Sequence, residues 1–526
     1  MTGTWQLIRL ALRRDRFLLP LWVILIPLFP VGVASSFAGL YPDPASRAAF
    51  AKSMDVPSLT AFYGPIFSSD LGALTAWRSS LLLVIASLVT GLVVIRHTRA
   101  EEEQGRRELL GSTALGRQAG LAAALVLVFG GSLVLGLVVA LGMAAVVPGA
   151  AGAVALGVEF TAACWLFTGV AAIAAQLTQS ARSARWIVGA VLAVSMLLKV
   201  LGDSGGNVDS PLSWVSPLGL LQRIRPYAGE RWWVALIVLA LTAVAVAAAY
   251  ALNARRDLDA GLIAARPGPA RASRLLGSPL GLAWRLQRGV MFGWALGALV
   301  LGLVLGGAVD SASNAFTDNP QLADLFERLG GNAGVADVFL ASLFSIVGIV
   351  ASAEGVQIAL RARAEEAAGR AEPILAAAVG RTRWLNGYVL LAFVGPLATL
   401  AANGLGTGLA YGAASNDMGQ VGRALGGALV QLPAVWLTVG IAVALFGVLP
   451  RFNGVAWGAV VFFLLLGQLG AVLRLDQWAL DLSPFTHLPR LPGGDLTITP
   501  LGWLVAIAAA LTAVGLARFR ARDVPA

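Results

Sequence analysis

Apolar runs of bilayer length recur along the chain, and the charges collect in the short segments between them. Crossing the hydrocarbon takes about 20 apolar residues. Twelve stretches reach that length: 17–37, 74–95, 119–147, 152–176, 184–202 and 231–252, then 290–310, 338–358, 385–412, 424–449, 454–473 and 500–518. They lack the strict alternation of a barrel strand, and lipid offers an open backbone no hydrogen-bond partner, so each reads as a helix. The pattern predicts an all-α polytopic membrane protein of about 12 transmembrane helices.

The polar intervals repeat as well. Each set of six spans has a long segment after its first span (38–73 and 311–337) and another before its last (203–230 and 474–499). Ser216-Pro217 and Ser483-Pro484 stand at matching places, and each set ends in an Arg-Asp pair, Arg256-Asp257 and Arg522-Asp523. An even number of spans returns each half to its starting side, so the layout is a parallel duplication of six plus six. The halves are 1–252 and 290–526. Between them, 253–289 is rich in Ala, Arg, Gly and Pro and reads as a cytoplasmic linker.

Composition agrees: 58% of the 526 residues are hydrophobic and only 13% charged. The net charge of +10 comes nearly all from arginine. Those arginines fall mostly in segments on one side of the spans. That bias places both termini, the linker and the intervals after the second and eighth spans on the cytoplasmic side. Aromatic residues interleaved with basic ones in a loop are absent, which argues against nucleic acid. Trp77, Trp186, Trp232, Trp233 and Trp503 lie near span ends, as interface anchors do. Arg13, Arg14 and Arg16 before an apolar run resemble a signal peptide, but 17–37 is too long for one and reads as a retained span. Ahead of it, Trp5, Ile8 and Leu12 share one helical stripe and Arg9, Arg13 and Arg16 another, an amphipathic interfacial helix. Cys164, the single cysteine, has no partner for an intrachain disulfide and reads as a small buried hydrophobe.

One charged interval is itself duplicated. RAEEEQGRRELLGSTALGR (99–117) and RAEEAAGRAEPILAAAVGR (363–381) agree at ten of nineteen positions. Thr98 precedes Glu101 with capping-box spacing. Acids lead and bases follow, which suits the helix dipole. Glu102 with Arg106, and Glu366 with Arg370, stand four apart, a spacing that steadies a helix. Gly111 and Pro373 mark breaks. Each cassette thus predicts a short polar helix, near 98–111 and 361–373, joining the second and third spans of its half. Membrane orientation requires positive charge and not a run of glutamates. The twice-kept acidic cassette therefore reads as a docking surface.

In this position the cassette resembles the coupling-helix region of ABC-2 type permeases of ATP-binding-cassette exporters. The twelve-span layout is similar to actinobacterial permeases described as polyketide-antibiotic or multidrug exporters. The resemblance implies a type V ABC exporter-like fold and two copies of a separate cytosolic ATPase subunit, one docked on each half. It implies docking through Glu101, Glu102, Gly105, Arg106 and Glu108, and through Glu365, Glu366, Gly369, Arg370 and Glu372. The second cassette departs at Ala367, Ala371 and Pro373, so the two sites need not be equivalent. ATP and magnesium would sit on the partner subunits, with no cofactor in this chain. The residues agree: a P-loop needs Gly-Lys-Ser/Thr, and the two lysines are Lys52 after Ala51 and Lys199 before Val200. Two histidines, His97 and His487, and one cysteine do not suggest a metal cluster. No Ser–His–Asp set is visible, so an enzyme is not expected.

A carboxylate within a span is costly and points to function. Glu159 and Glu354 are therefore the candidates for a substrate path; Gln176, Asn403 and Gln468 are weaker ones, since polar residues often just pair between helices. Segments 45–65 and 318–339 read as short amphipathic helices on the outer surface. The segments before the last spans, by the same resemblance, are re-entrant helices closing an outer mouth. The expected function is the permease subunit of an ATP-driven exporter of hydrophobic or amphipathic compounds. The alternatives are a proton-coupled secondary drug transporter, which also has six plus six spans, and a membrane scaffold or receptor for a cytosolic enzyme.

Overall fold

The computed structural model describes residues 2–55, 57–106, 115–203, 209–257, 260–263, 270–317, 334–469 and 476–522. Among these the regular structure is all helical. Eleven helices are long and apolar enough to cross a membrane. The chain divides into two compact units, Met1–Gly268 and Pro269–Ala526.

The first unit opens with α1 (Thr4–Arg14), then the first span α2 (Leu18–Leu40). Two short helices follow, α3 (Pro44–Met54) and α4 (Pro57–Tyr63), so segment 45–65 is helical as its pattern predicts. The remaining spans are α5 (Leu71–His97), α7 (Ala119–Val146), α8 (Ala150–Leu177), α9 (Ala181–Asp203) and α12 (Trp232–Arg255). A five-residue helix, α6 (Arg99–Glu103), follows α5. Two more short helices, α10 (Pro211–Val215) and α11 (Pro217–Gln222), precede α12.

Helix α8 is the centre of this unit and packs on α5, α7 and α12. Its glycines and alanines make that possible, because membrane helices attract by close contact and not by excluding water. A Cβ added to Gly136 of α7 would stand 2.5 Å from the Gly157 carbonyl of α8. Cys164 is fully buried here. Outward residues such as Leu141, Leu236 and Val244 are large, apolar and exposed, as a lipid-facing surface requires. Ser216 does more than mark a repeat: its hydroxyl accepts from the Gly219 amide and caps α11, whose residues Leu218–Gln222 are buried.

The second unit contains α13 (Pro279–Thr317), α14 (Val335–Ala367), α15 (Glu372–Leu375), α16 (Arg381–Ser415), α17 (Gln420–Leu429), α18 (Leu432–Val448), α19 (Gly454–Leu469), α20 (Gln477–Leu480) and α21 (Ile498–Ala521). Helix α16 packs on α13, α14 and α17, and α18 on α21. Ser483 caps the 3₁₀ turn Pro484–His487 as Ser216 caps α11. Predicted segment 318–339 lies largely outside the described residues.

Two expectations need correction. Trp77 is no interface anchor: it is buried, lies against the Tyr63 ring and donates to the Gly64 carbonyl at 2.8 Å. Trp186, Trp232, Trp233 and Trp503 are exposed near helix ends, as anchors should be. The seventh span, α13, begins at Pro279 and not near 290. Its polar first turns propagate from a nucleated helix, which a hydropathy boundary cannot register.

Candidate docking sites on two braced cassettes

In the first unit α5 stops at His97 because the backbone at Thr98 leaves the helical region (φ −115°, ψ −84°). The Thr98 hydroxyl turns back to the Val94 carbonyl and makes no capping-box bond to α6. After Glu103 the chain turns through Gly105 at φ +67°. In the second unit α14 runs unbroken through Glu365 and Glu366 to Ala367, then turns through Gly369 at φ +68°. The matched glycines serve one purpose, since only glycine enters the left-handed region freely. Pro373 does not break the second cassette; it sits in the first turn of α15.

That turn changes which charges meet. The expected four-residue pairs do not form. Arg106 reaches Glu101 at 3.2 Å, and Arg370 reaches Glu365 at 2.6 Å, each five residues back. The helix has ended before the arginine, so helical spacing no longer applies. The carboxylate of Glu365 also raises the pKa of the Arg370 guanidinium by hydrogen bonding to it.

Glu102 and Glu366, the middle glutamates, are buried. Each binds the arginine that ends the last helix of its own half. Arg256 donates to Glu102 at 2.7 Å, and Arg522 donates to both oxygens of Glu366 at 2.7 and 2.8 Å. Arg99 adds a second contact to Glu102 at 2.6 Å, and Arg363 one to Glu366 at 3.3 Å. The trailing arginines of the cassettes close the same joint. Arg117 donates to the Arg256 carbonyl at 2.6 Å, and Arg381 to the Arg522 carbonyl at 2.7 Å. The two joints therefore share one plan: a carboxylate takes the terminal guanidinium, and a second guanidinium takes the carbonyl at the helix end, where the dipole favours a cation. Gln176 belongs to the first joint, accepting from Arg256 Nε at 2.6 Å.

This leaves a mixed set on the surface. Glu101 is partly exposed and also paired with Arg14 of α1. Arg106, Gly369, Arg370 and Glu372 are exposed, Gly105 is intermediate, and Glu365 is buried. Glu108 lies outside the described residues. Sequence reasoning overlooked Arg99, Arg256, Arg522, Arg117 and Arg381 as partners, although the repeated Arg-Asp ends and trailing Gly-Arg were visible in it.

The family described as multidrug efflux system permease Rv1217c, C-terminal domain, matches in two stretches, residues 8–253 and 276–520. The chain belongs to that family. The multidrug efflux system permease protein Rv1217c of Mycobacterium tuberculosis (strain ATCC 25618 / H37Rv) is 46% identical over 527 residues, covering 99% of this chain and 95% of that protein.

The Rv1217c-family chain is a multi-pass protein of the bacterial inner membrane. The candidate carboxylates Glu159 and Glu354 are both buried. Glu159 borders a cavity of about 30 Å³ together with Tyr63, Phe67, Trp77 and Arg225. Glu354 accepts from the Thr399 hydroxyl at 2.6 Å; its other oxygen has no partner among the described residues and lies against Gly395. Asn403 pairs between helices, donating to the Ala298 carbonyl at 3.0 Å, and the Gln468 side chain lies outside the described residues. Among the described residues no group of three or more His, Cys, Asp or Glu side chains is placed to hold a metal.

Proposed function

We propose that this chain is the membrane-spanning permease subunit of an ATP-driven exporter of hydrophobic or amphipathic compounds. Two copies of a separate nucleotide-binding subunit, each carrying ATP and magnesium, dock on its two cassettes. The kinship with a protein named as a multidrug efflux system permease supports the transport role. The observation that carries the partnership is the brace under each cassette. Glu102–Arg256 and Glu366–Arg522 tie a surface-exposed turn to the end of the last span of its half. A push on the cassette is thereby transmitted to a whole helix, which a loop that only fixes topology does not need.

On this reading the docking residues divide by role. Glu101, Arg106, Arg370 and Glu372 face the partner. Glu102 and Glu366 hold the turn in place, with Gly105 and Gly369 shaping it. Glu159 and Glu354 line the substrate path.

Co-expression with the P-loop ATPase encoded nearest the gene, followed by affinity purification of the permease, tests the assembly. Two ATPase copies per chain, with drug uptake into inverted vesicles that requires ATP, are expected. Transport by the permease alone down an imposed pH gradient would overturn the ATP reading, as would recovery of a kinase or synthase in place of the ATPase.

A further inference from the structure

A cavity of about 460 Å³ lies within the first unit, between α1, the cassette and the start of α7. That volume is in the range of ligand sites. Its walls are of two kinds. Leu7 and Leu10 of α1 and Ala123 and Ala124 of α7 form an apolar side, while Arg14, Glu101, Arg117 and Asp257 form a charged edge.

The charges on this edge are unevenly paired. The Glu101 carboxylate is shared between Arg14 and Arg106. Arg117 spends one N–H on the Arg256 carbonyl, and among the described residues no carboxylate pairs with it. Glu101 is thus taken up by Arg14 and by Arg106 outside the cavity, and the Arg117 guanidinium is the cation on this edge that no carboxylate among the described residues neutralises. Helix α1 sets the depth of the site. Trp5, Leu12 and Phe17, on and just after α1, are exposed and apolar, and Arg9, Arg13 and Arg16 are exposed between them. A helix of this kind lies among headgroups with its apolar side toward the acyl chains. The cavity therefore opens where a charged group and a hydrocarbon chain occur in one molecule.

We propose that this cavity binds one anionic phospholipid of the cytoplasmic leaflet. Its phosphate faces Arg117, and its first acyl carbons lie on Leu7, Leu10, Ala123 and Ala124. The assignment depends on membrane residence and not on export, so it stands or falls apart from the proposed function.

Native mass spectrometry of the delipidated full-length chain in mild detergent tests it. Phosphatidylglycerol, phosphatidylcholine and inorganic phosphate are titrated separately. One tightly held phosphatidylglycerol per chain is expected, with at least tenfold weaker retention of phosphatidylcholine and none of phosphate. Arg117→Gln should weaken it about fivefold, the weight of one basic side chain at an anionic surface. Ala123→Phe fills the cavity without touching a charge and should abolish that binding. Leu7→Trp does so from the opposite wall if the first variant fails to fold. Equal retention of phosphatidylcholine, binding of phosphate alone, retention unchanged in a folded filling variant, or no retained lipid in the parent chain each overturns the proposal.

Discussion

Removing the Glu102 carboxylate would take from two buried guanidiniums, Arg99 and Arg256, the carboxylate they share. Breaking a buried pair from one side costs about 3–5 kcal/mol, because the stranded charge remains desolvated. Glu102→Ala should therefore lower unfolding stability by that order. Glu366→Ala should fall at the lower end, since Arg522 also rests on the rings of Phe446 and Phe519 at 4.9 and 5.1 Å. Glu101→Ala removes a partly exposed acid and should change stability by about 0–1 kcal/mol. Thermal melts of the purified variants followed by size-exclusion chromatography would rank them; equal midpoints for Glu101→Ala and Glu102→Ala would refute the division into brace and surface. The surface half of that division predicts the reverse pattern. Glu101→Gln with Glu372→Gln should move the melt little and reduce the ATPase recovered per permease. Why the sequence could mislead here is plain from the spacing. Glu102 and Arg106 are four apart, and helical periodicity pairs them by default. The pairing that forms spans 154 residues, and nothing local in the sequence encodes it.

At the scale of elements the cassette glycines make a sharp case. A Cβ at Gly105 or Gly369 would meet nothing within 4 Å, so space is not the constraint. The left-handed backbone is, and an L-residue there costs roughly 1–2 kcal/mol. Gly105→Ala and Gly369→Ala should each destabilise by about that amount, with Asn tolerated better than Ala; a melt unmoved by Gly369→Ala would show that the turn is not held. Gly136 is the opposite case. Its Cβ would collide with the Thr161 hydroxyl at 2.0 Å as well as with the α8 backbone, so any side chain there must separate two spans. The spans themselves were legible because hydropathy over 20 residues is a strong signal in lipid. Their ends were less so, as the early start of α13 shows. Roles set by tertiary contact, such as buried Trp77, leave no trace in hydropathy.

For the second half, taken as a whole, parity decides what length leaves open. Helix α19 has 16 described residues, which at about 1.5 Å each reach about 24 Å, less than the roughly 30 Å of hydrocarbon. On length alone it need not cross. The ion pair between Glu366 and Arg522 removes the choice. Both ends of that pair must lie on one side of the membrane, so the chain between them crosses an even number of times. The helices at Arg381–Ser415, Gln420–Val448 and Ile498–Ala521 supply three crossings. The segment that begins at Gly454 must supply the fourth. The same count holds in the first half, where four spans separate Glu102 from Arg256. It follows that the segment before α21, with the exposed Trp478 in it, and Glu372 lie on opposite sides, and the arginine bias, which puts the cassettes in the cytoplasm, then turns Trp478 outward. Cysteine labelling checks this directly, because the native Cys164 is buried and gives little background. In intact spheroplasts Lys52→Cys and Trp478→Cys should react with a membrane-impermeant maleimide, and Glu372→Cys only after permeabilisation. A silent position 478 beside a labelled position 52 would mean that the segment from Gly454 does not cross. The Glu366–Arg522 brace, and the common plan of the two halves, would then be untenable.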